Sequence, residues 1–301
     1  MRRAEALRLI REQSAFHDAT QTIISSGHKR QQIVTREDKV GMIARELVLD
    51  LKQAVKQDEL TLSYQPKHDA GGAIIGVEAL IRWQHPRYGF VSPLMIITLA
   101  EDSGVIHSLG RWVIEQSCAC KSRWNKLGYK NLSMAVNVSP IQLTDKDLPN
   151  FINKCIGNNG LLAGELELEI TESSEIPDDE LTDFILDKLS ATGVKLAMDD
   201  FGMGYSSLLH MRRFQVAAIK IDGSITREVL TNQMNADIVR TIASLGKSQG
   251  VQVVAEYVET LEQRQALSNM GCDVFQGYYH SPPLNETDCV AYFLTHQKKV
   301  D

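Results

Sequence analysis

The sequence lacks any long hydrophobic run. A helix that crosses a bilayer needs about 20 consecutive apolar residues, and polar or charged residues break every apolar stretch of these 301 residues earlier than that. The amino terminus, MRRAEALRLIREQ, begins with positive charge but lacks the uninterrupted apolar segment of a secretory signal. We therefore predict a cytoplasmic protein, or a piece of a longer one, with no membrane contact from this chain.

Cysteine is scarce and is not arranged for metal binding. There is no CxxC pair, which argues against a zinc ribbon or a thioredoxin-like redox site. The spacing of Cys118 and Cys120 would place their thiols on different sides of a helix. We predict that all five cysteines are reduced packing residues, namely Cys118, Cys120, Cys155, Cys272 and Cys289.

An excess of basic residues is also absent. The 32 lysines and arginines are outnumbered by 38 acidic residues, which gives a formal net charge of -6. A protein that binds a nucleic-acid duplex usually carries a basic face, so we predict no duplex partner. A small phosphate ligand remains compatible with this charge if bound cations hold it.

Two regions of different character divide the chain. Residues 1–40 are rich in polar and charged residues and contain only a loosely amphipathic helix, so we predict a helical extension or linker there. It is either a solvated helix or a connection to an upstream sensory domain. Residues 41–301 alternate between apolar runs and segments of helical length, and we predict one large domain for them.

The apolar runs of the second region number eight, which is the number of strands that closes a (β/α)8 TIM-like barrel. All but the first are followed by a segment long enough for a helix. The loop between the first two runs, residues 68–73, is too short for a parallel crossover. We therefore predict an α/β barrel whose first strand is antiparallel. The runs are LTLSYQP, IIGVEALIRW, MAVNVS, LELEI, VKLAMDD, AAIKID, VQVVAE and DVFQG.

A polar residue stands in or at the end of every apolar run after the first. Burying an isolated carboxylate costs several kcal/mol unless it is paired or bound to a metal. The carboxyl ends of barrel strands form the mouth where active sites lie, so these side chains should converge in space. They are Glu78, Asn137, Glu169, Asp199, Asp200, Lys220, Glu256 and Gln276.

Carboxylate and amide oxygens make a hard ligand set that suits Mg²⁺ or Mn²⁺ better than Zn²⁺ or copper. Adjacent Asp199 and Asp200 repel one another unless cations neutralise them, and paired carboxylates commonly share two metals about 3.5–4 Å apart. Lys220 either orients and acidifies a nucleophilic water or forms a simple salt bridge. Arg82 shares a strand face with Glu78 and can offer paired donors to a phosphate or a guanine edge.

With these motifs in view, the chain resembles the EAL-domain family of bacterial cyclic di-GMP phosphodiesterases over about residues 42–295. The family takes its name from the tripeptide Glu78-Ala79-Leu80. A lone EAL tripeptide would carry no information, but eight motifs occur here in order and at family-like spacing. They are YQPK, VEALIRWQHP, VNVSPIQL, LELEITES, MDDFGMGYSSL, IKID, VVAEYVET and FQGYYHSPPL.

The resemblance implies hydrolysis of cyclic di-GMP to linear pGpG with two Mg²⁺ or Mn²⁺ ions. The positions that match the family's metal ligands are Glu78, Asn137, Glu169, Asp199, Asp200 and Glu256, with Glu259 as an outer or water-mediated ligand. Lys220 and Gln276 match positions that organise the water, so the implied catalytic residues are Glu78, Lys220, Glu256 and Gln276. Gln65 and Arg82 match positions that contact the substrate.

The resemblance also implies support for the loop after the paired aspartates and a homodimer. Glu172 would accept hydrogen bonds from that loop, including one from Ser206 or Ser207. The segment GYSSLLHMRRF offers an amphipathic helix for a dimer interface.

Two departures from the family pattern bring the catalytic efficiency into question. Met203 stands where a hydroxyl residue is usual, and Tyr257 replaces the glycine of the usual AEGVE motif. Neither change removes a ligand.

Two rival functions stay open. A noncatalytic cyclic di-GMP receptor would keep the pocket without the chemistry, although no ligand position is missing here. A metal-dependent barrel that enolises small acids would also use strand-end carboxylates and a lysine, but it would not explain the ordered motifs.

Overall fold

The computed structural model describes residues 15–23, 35–171, 176–177, 179–202 and 215–296. The chain divides into two compact units. One comprises Met1–Thr61 with Ile81–Trp112, and the other comprises Leu62–Leu80 with Val113–Asp301. No helix within these described ranges combines the length and apolar character needed to cross a membrane.

Eight strands form a closed barrel, as predicted. Around the barrel the order is β1, β9, β8, β7, β6, β5, β4, β2 and back to β1. The strands are β1 (Thr61–Asp69), β2 (Ile74–His85), β4 (Ser133–Val138), β5 (Leu166–Thr171), β6 (Lys195–Phe201), β7 (Ala218–Ile221), β8 (Gln252–Ala255) and β9 (Val274–Phe275), with a short β3 (Gly89–Val91) outside the ring.

The first strand runs against the others. β1 pairs antiparallel with β9, with His68 opposite Phe275, whereas β2 and β4 to β9 pair in parallel. Gly72 has a φ of 83°, which is a conformation that favours glycine and permits the tight turn after β1. The short loop between β1 and β2 is therefore followed by the predicted reversal of strand direction. Inside the barrel, Ala197, Ala218, Val254 and Val274 form a buried cluster.

Several helices begin with a side-chain cap, and four end at a glycine. Thr260 caps its helix by accepting a hydrogen bond from the Gln263 amide. Gly160, Gly193, Gly250 and Gly271 end helices in the left-handed conformation. The helices are α1 (Lys39–Lys56), α2 (Pro93–Asp102), α3 (Ile106–Lys126), α4 (Leu148–Asn159), α5 (Glu180–Thr192), α6 (Gly223–Arg227), α7 (Gln233–Gln249), α8 (Leu261–Met270) and α9 (Glu286–His296).

The smaller unit contains residues 15–23, which are helical, together with α1, β3 and α2. Asp38 caps α1 by accepting from the Gly41 amide. Because α1 begins at Lys39, the predicted domain boundary at residue 40 falls within its first turn. The assignment of residues 1–40 as an extension or linker stays a prediction.

The cysteines are free and buried, as predicted. Burial raises the pKa of the Cys118, Cys120 and Cys272 thiols to about 12. A thiol held in its neutral form is a poor nucleophile, so these residues serve in packing.

A stacked pair of histidines joins β1 to the region before α9. The rings of His68 and His280 lie 4.0 Å apart and 8° from parallel. The Tyr292 hydroxyl lies 3.2 Å from His68 Nε2 and donates to the His280 carbonyl at 3.1 Å. We infer that His68 Nε2 carries the proton and donates to that hydroxyl. His68 Nδ1 is buried and has no hydrogen-bond partner among the described residues, so a second proton would place a charge in the protein interior.

This pair should make the protein sensitive to acid. Burial, reinforced by His280, His296 and Arg264, lowers the pKa of His68 to about 3 from 6.5. The stability from neutral His68 is present above pH 6.5 and is lost as the pH falls towards 3, because only the unfolded chain binds the proton easily. Between pH 7 and pH 5 we expect a loss of about 1–2 kcal/mol from this residue.

Urea unfolding at the two pH values measures this loss. His68→Phe keeps a ring but cannot be protonated, so its free energy of unfolding should fall less between pH 7 and pH 5 than that of the wild type. His17→Phe, which replaces an exposed histidine, should retain the full acid sensitivity. Equal pH dependence in the wild type and His68→Phe would contradict the prediction.

Candidate functional site

Strand register brings most of the predicted site residues to one end of the barrel. Asn137 on β4 lies opposite Glu169 on β5, and Thr171 lies opposite Asp199 on β6. These positions are at or near the carboxyl ends of their strands. Their side chains range from fully buried, at Glu169, to exposed, at Asn137. The site therefore runs from the barrel interior to solvent.

A β-bulge explains how two consecutive aspartates both serve this site. In a regular strand, neighbouring side chains point to opposite faces. The pairing of β6 with β7 shifts register between Met198 and Phe201, and Asp200 has a φ of 55°, which is rare for a residue other than glycine. Asp199, Asp200 and Glu256 each present one carboxylate oxygen, and these three oxygens lie within 4.8 Å of one another.

Partial burial raises the pKa of Asp200 to about 7, and the carboxylates of Asp199 and Asp222 act in the same direction. Burial, Asp199 and Glu78 also raise the pKa of Glu256. Like charges at this distance resist ionisation unless a cation lies nearby. The cluster therefore favours a bound positive charge.

Lys220 lies at the centre of the acidic groups. Its ammonium nitrogen is 2.7 Å from Glu256 Oε1, 2.8 Å from Glu169 Oε2, 3.0 Å from Asp199 Oδ1 and 3.6 Å from Glu78 Oε2. Burial alone would lower the pKa of Lys220, but the surrounding carboxylates hold it well above its ordinary value. Lys220 is therefore a fixed cation that contacts four acids, rather than one half of a single salt bridge.

Glu78 is held in place by two amides. Asn137 Nδ2 donates to Glu78 Oε1 at 2.6 Å, and Gln276 Nε2 donates to Glu78 Oε2 at 2.6 Å. Gln276 also donates to Gln65 Oε1 at 3.1 Å, and Gln65 donates to the Ser281 carbonyl at 3.2 Å. The Gln276 side-chain oxygen is buried without a hydrogen-bond partner in the part of the chain that the structure describes. It can therefore accept a hydrogen bond from a water or a ligand.

The segment after β8 comes very close to the end of β9. The Val258 amide donates to the Gln276 carbonyl at 3.1 Å. Gly277 has a φ of 155°, and a Cβ there would lie 2.2 Å from the Val258 carbonyl oxygen. Only glycine permits this approach, which places Glu256 and Gln276 beside the same opening.

That opening is a cavity of about 340 Å³. Carboxylates of Glu78, Asp199 and Glu256 line it together with Gln65 and Gln276. The other lining residues are Leu80, Tyr257, Glu259, Gly277, Tyr278 and Pro283. Glu259 thus reaches the cavity, although it does not join the three converging carboxylates.

The described contacts do not test the predicted roles of Arg82 in substrate binding or of Glu172 and Ser206 in loop support. Arg82 lies on β2 in the smaller unit, where it donates to the Ile81 carbonyl at 2.8 Å. Glu172 and Ser206 lie outside the described residues, as do Met203 and the predicted dimer helix. Their roles stay predictions.

Three polar residues of this region were not predicted from the sequence. Lys67 donates to Glu167 at 2.7 Å and also to Glu169, so an ion network lies beside the site. Burial alone would raise the pKa of Glu169, but Lys220 and Lys67 lower it to about 2. Asp222 contacts the Asp200 carboxyl and caps α6. Lys67, Glu167 and Asp222 each stand two residues from a predicted site residue, in the motifs YQPK, LELE and IKID. Strand alternation places residues two apart on the same face, so this spacing could have predicted them.

The donor set fits divalent cations of the Mg²⁺ type. Carboxylate oxygens dominate, an amide side chain borders them, and no cysteine or histidine belongs to the described cluster of Asp199, Asp200 and Glu256. Hard cations prefer such oxygen ligands. The raised pKa values of Asp200 and Glu256 point the same way.

Comparison with known proteins gives an independent result. The profile of the EAL domain family matches residues 48–283. The chain is 38% identical over 240 residues to the bifunctional diguanylate cyclase/cyclic di-GMP phosphodiesterase MucR of Pseudomonas aeruginosa. The aligned region covers 79% of this chain and 35% of MucR. It is also 35% identical over 235 residues to the cyclic di-GMP phosphodiesterase PdeR of Escherichia coli. That aligned region covers 78% of this chain and 35% of PdeR. The chain thus spans about a third of these relatives.

Solved structures agree in fold. The PaMucR phosphodiesterase in complex with c-di-GMP aligns with a TM-score of 0.77 at 37% identity, over 81% of this chain and 99% of that one. The EAL enzyme Bd1971, in its form bound to cAMP and cyclic di-GMP, aligns with a TM-score of 0.78 at 28% identity, over 84% of this chain and 69% of that one.

Proposed function

Because this chain belongs to the EAL domain family, we propose that it is a metal-dependent phosphodiesterase that hydrolyses cyclic di-GMP to linear pGpG. The observation that carries the proposal is the convergence of Asp199, Asp200 and Glu256 within 4.8 Å, beside Lys220 and at a cavity. Relatives named as cyclic di-GMP phosphodiesterases, and solved relatives that contain c-di-GMP, support the choice of substrate.

The proposed metal ligands are oxygen donors from within β2, from the ends of β4, β5 and β6, and from the segment that follows β8. Two Mg²⁺ or Mn²⁺ ions, when bound, would supply a water of lowered pKa and neutralise charge on the phosphate. The residues that would hold them are Glu78, Asn137, Glu169, Asp199, Asp200 and Glu256, with Glu259 acting through water.

The protein's own groups would then orient the reaction. Lys220 keeps its proton because carboxylates surround it, so it would hold the attacking water by electrostatic attraction rather than remove its proton. The unpaired oxygen of Gln276 would accept a hydrogen bond from that water. The water oxygen would form a bond to one phosphorus as the bond from that phosphorus to the 3′ oxygen breaks. One proton of the water would end on the 3′ oxygen, which leaves as a hydroxyl, and the other would stay with the new 5′ phosphate.

Purified chain incubated with cyclic di-GMP tests the proposal. With Mg²⁺ or Mn²⁺ we expect pGpG as the product by chromatography, and a chelator should stop its formation. Ca²⁺ should support substrate binding but little turnover, because its ligands lie at about 2.3–2.6 Å rather than about 2.0–2.1 Å and misplace the attacking water. Equal rates with Ca²⁺ and Mg²⁺ would contradict the two-metal arrangement.

The same experiment separates the rival functions. A noncatalytic receptor would bind cyclic di-GMP with Mg²⁺ present but release no pGpG. An enolising enzyme would neither bind nor cleave it. A homodimer, an upstream sensory domain and a cytoplasmic location remain part of the proposal.

A further inference from the structure

Tyr257 has a backbone conformation that large side chains seldom adopt. Its φ is 56°, and only Asp58 and Asp200 share a positive φ among the described residues other than glycine. For a bulky residue this conformation is strained. Such strain persists where the surrounding structure imposes it, and it occurs often at ligand sites. The residue directly follows Glu256, one of the three converging acids.

Helix α6 determines where the Tyr257 ring lies. A Cβ at Gly223 would approach Tyr257 Cβ at 3.0 Å and Cδ2 at 3.2 Å, so glycine makes room for the ring. The Arg227 guanidinium carbon lies 4.0 Å from the ring centroid in a cation–π contact. Thr226 Oγ1 donates to the Glu256 carbonyl at 2.5 Å. Three residues of one helix thus hold the backbone and the ring.

The ring keeps a surface for a ligand. Tyr257 is 42% exposed and lines the cavity with Glu256, Gln276 and Tyr278. Arg227 packs on the ring but is not among the residues that line the cavity, whereas Tyr257 is. The uncovered part of the ring is therefore a flat apolar surface at the edge of an acidic pocket.

We propose that Tyr257 is a substrate-positioning residue that stacks against one purine base of the cyclic dinucleotide, with Arg227 holding the ring ready. This inference rests on the proposed function. A purine needs a flat apolar partner, and an aromatic ring stacks with a base regardless of its edge. The cavity lining offers Tyr257 and Tyr278, and Tyr257 is the one whose ring the Arg227 guanidinium holds. Because Arg227 and Gly223 restrict the ring before binding, little side-chain freedom is lost when the base arrives.

Binding of cyclic di-GMP measured by calorimetry in Ca²⁺ tests the inference separately from turnover. Tyr257→Phe keeps the ring and should bind within about 3-fold of the wild type, whereas Tyr257→Gly should bind roughly 5- to 100-fold more weakly, the range expected for a lost stacked base. Tyr257→Gly should also resist urea at least as well as the wild type, because glycine tolerates the positive φ. Weaker binding together with undiminished stability excludes misfolding as the cause.

The matched control is Tyr279→Ala, which removes a partly exposed tyrosine that does not line the cavity and should leave the affinity unchanged. Wild-type affinity in Tyr257→Gly would overturn the inference, and so would an equal loss in Tyr257→Phe. If the wild type binds cyclic di-GMP but does not hydrolyse it with Mg²⁺, the proposed function is refuted. The stacking inference is then still decided by the affinities of Tyr257→Gly and Tyr257→Phe. A wild type that binds no cyclic di-GMP would overturn both.

Discussion

Replacing Lys220 by methionine is expected to destabilise the protein by about 3–5 kcal/mol in the absence of divalent cations. Its ammonium contacts Glu256, Glu169 and Asp199 within 3.0 Å, and Glu78 lies 3.6 Å away. Removing the lysine leaves several carboxylates at close range without this neutralising charge. Buried like charges are costly, so the loss should far exceed that of a surface ion pair.

Mn²⁺ should restore much of that stability if the acids bind metal. A cation that binds the folded chain and not the unfolded one raises the free energy of unfolding, and the gain should be larger in Lys220→Met than in the wild type. Turnover should remain very low even with Mn²⁺, because the residue that orients the water is gone. Urea unfolding with and without Mn²⁺, paired with product chromatography, measures both effects.

Lys67→Met is the matched control. Lys67 is also buried and contacts two acids, of which only Glu169 is a proposed metal ligand. Lys220 contacts that acid and three further proposed ligands, Glu78, Asp199 and Glu256. The loss of Lys67 should destabilise the protein without a comparable recovery in Mn²⁺. Equal recovery in both variants, or no destabilisation in Lys220→Met, would show that Lys220 does not balance a metal-binding cluster.

Replacing Glu78 by glutamine is expected to separate activity from stability. Burial, Glu169 and Asp199 raise the pKa of Glu78, so a neutral side chain of the same shape relieves repulsion in the metal-free protein. One of its two amide contacts, to Asn137 or Gln276, becomes unfavourable. The free energy of unfolding should therefore change by less than about 1–2 kcal/mol.

Turnover in Glu78→Gln should fall by at least about 100-fold, because loss of even an outer partner of a bound metal costs 10- to 100-fold. The rate should not recover in excess Mg²⁺ if Glu78 is a direct ligand. Glu262→Gln, a change on the exposed first turn of α8, should leave turnover unchanged. Near-normal turnover in Glu78→Gln would remove Glu78 from the proposed set of ligands.

Both experiments address one physical feature of the site. The barrel brings together buried acids whose simultaneous ionisation is unfavourable, and it places Lys220 among them. Burial acts to raise the pKa of both Glu256 and Glu169, but Glu169 contacts both Lys220 and Lys67, which lower its pKa to about 2, whereas the pKa of Glu256 stays raised. A site with this charge pattern is prepared for cations before a ligand arrives.

The barrel itself was predictable from local patterns in the sequence. Eight apolar runs with helical segments between them predicted the closed ring, and the six residues between the first two runs predicted the antiparallel β1. Chain length decides this outcome, since a short loop cannot carry a parallel crossover. The strand-end acids were predictable for a similar reason, because parallel strands bring their carboxyl ends to one side of the barrel.

Only the tertiary structure determined which of these polar groups contact each other. Period-two alternation alone would turn Asp199 and Asp200 to opposite faces of the strand, whereas the register shift against β7 and the positive φ of Asp200 accompany two carboxylates that both reach the site. The β3 strand and the stacking of His68 on His280 were not predicted, since both depend on contacts with no regular spacing along the chain. In the sequence, Tyr257 is a departure from the usual glycine of the motif, whereas in the structure α6, which lies 30 to 34 residues earlier, supplies the Gly223 and Arg227 that hold its ring. Composition and spacing determine where a strand ends and which chemical groups stand there, but the packing of distant segments determines the direction in which each group points.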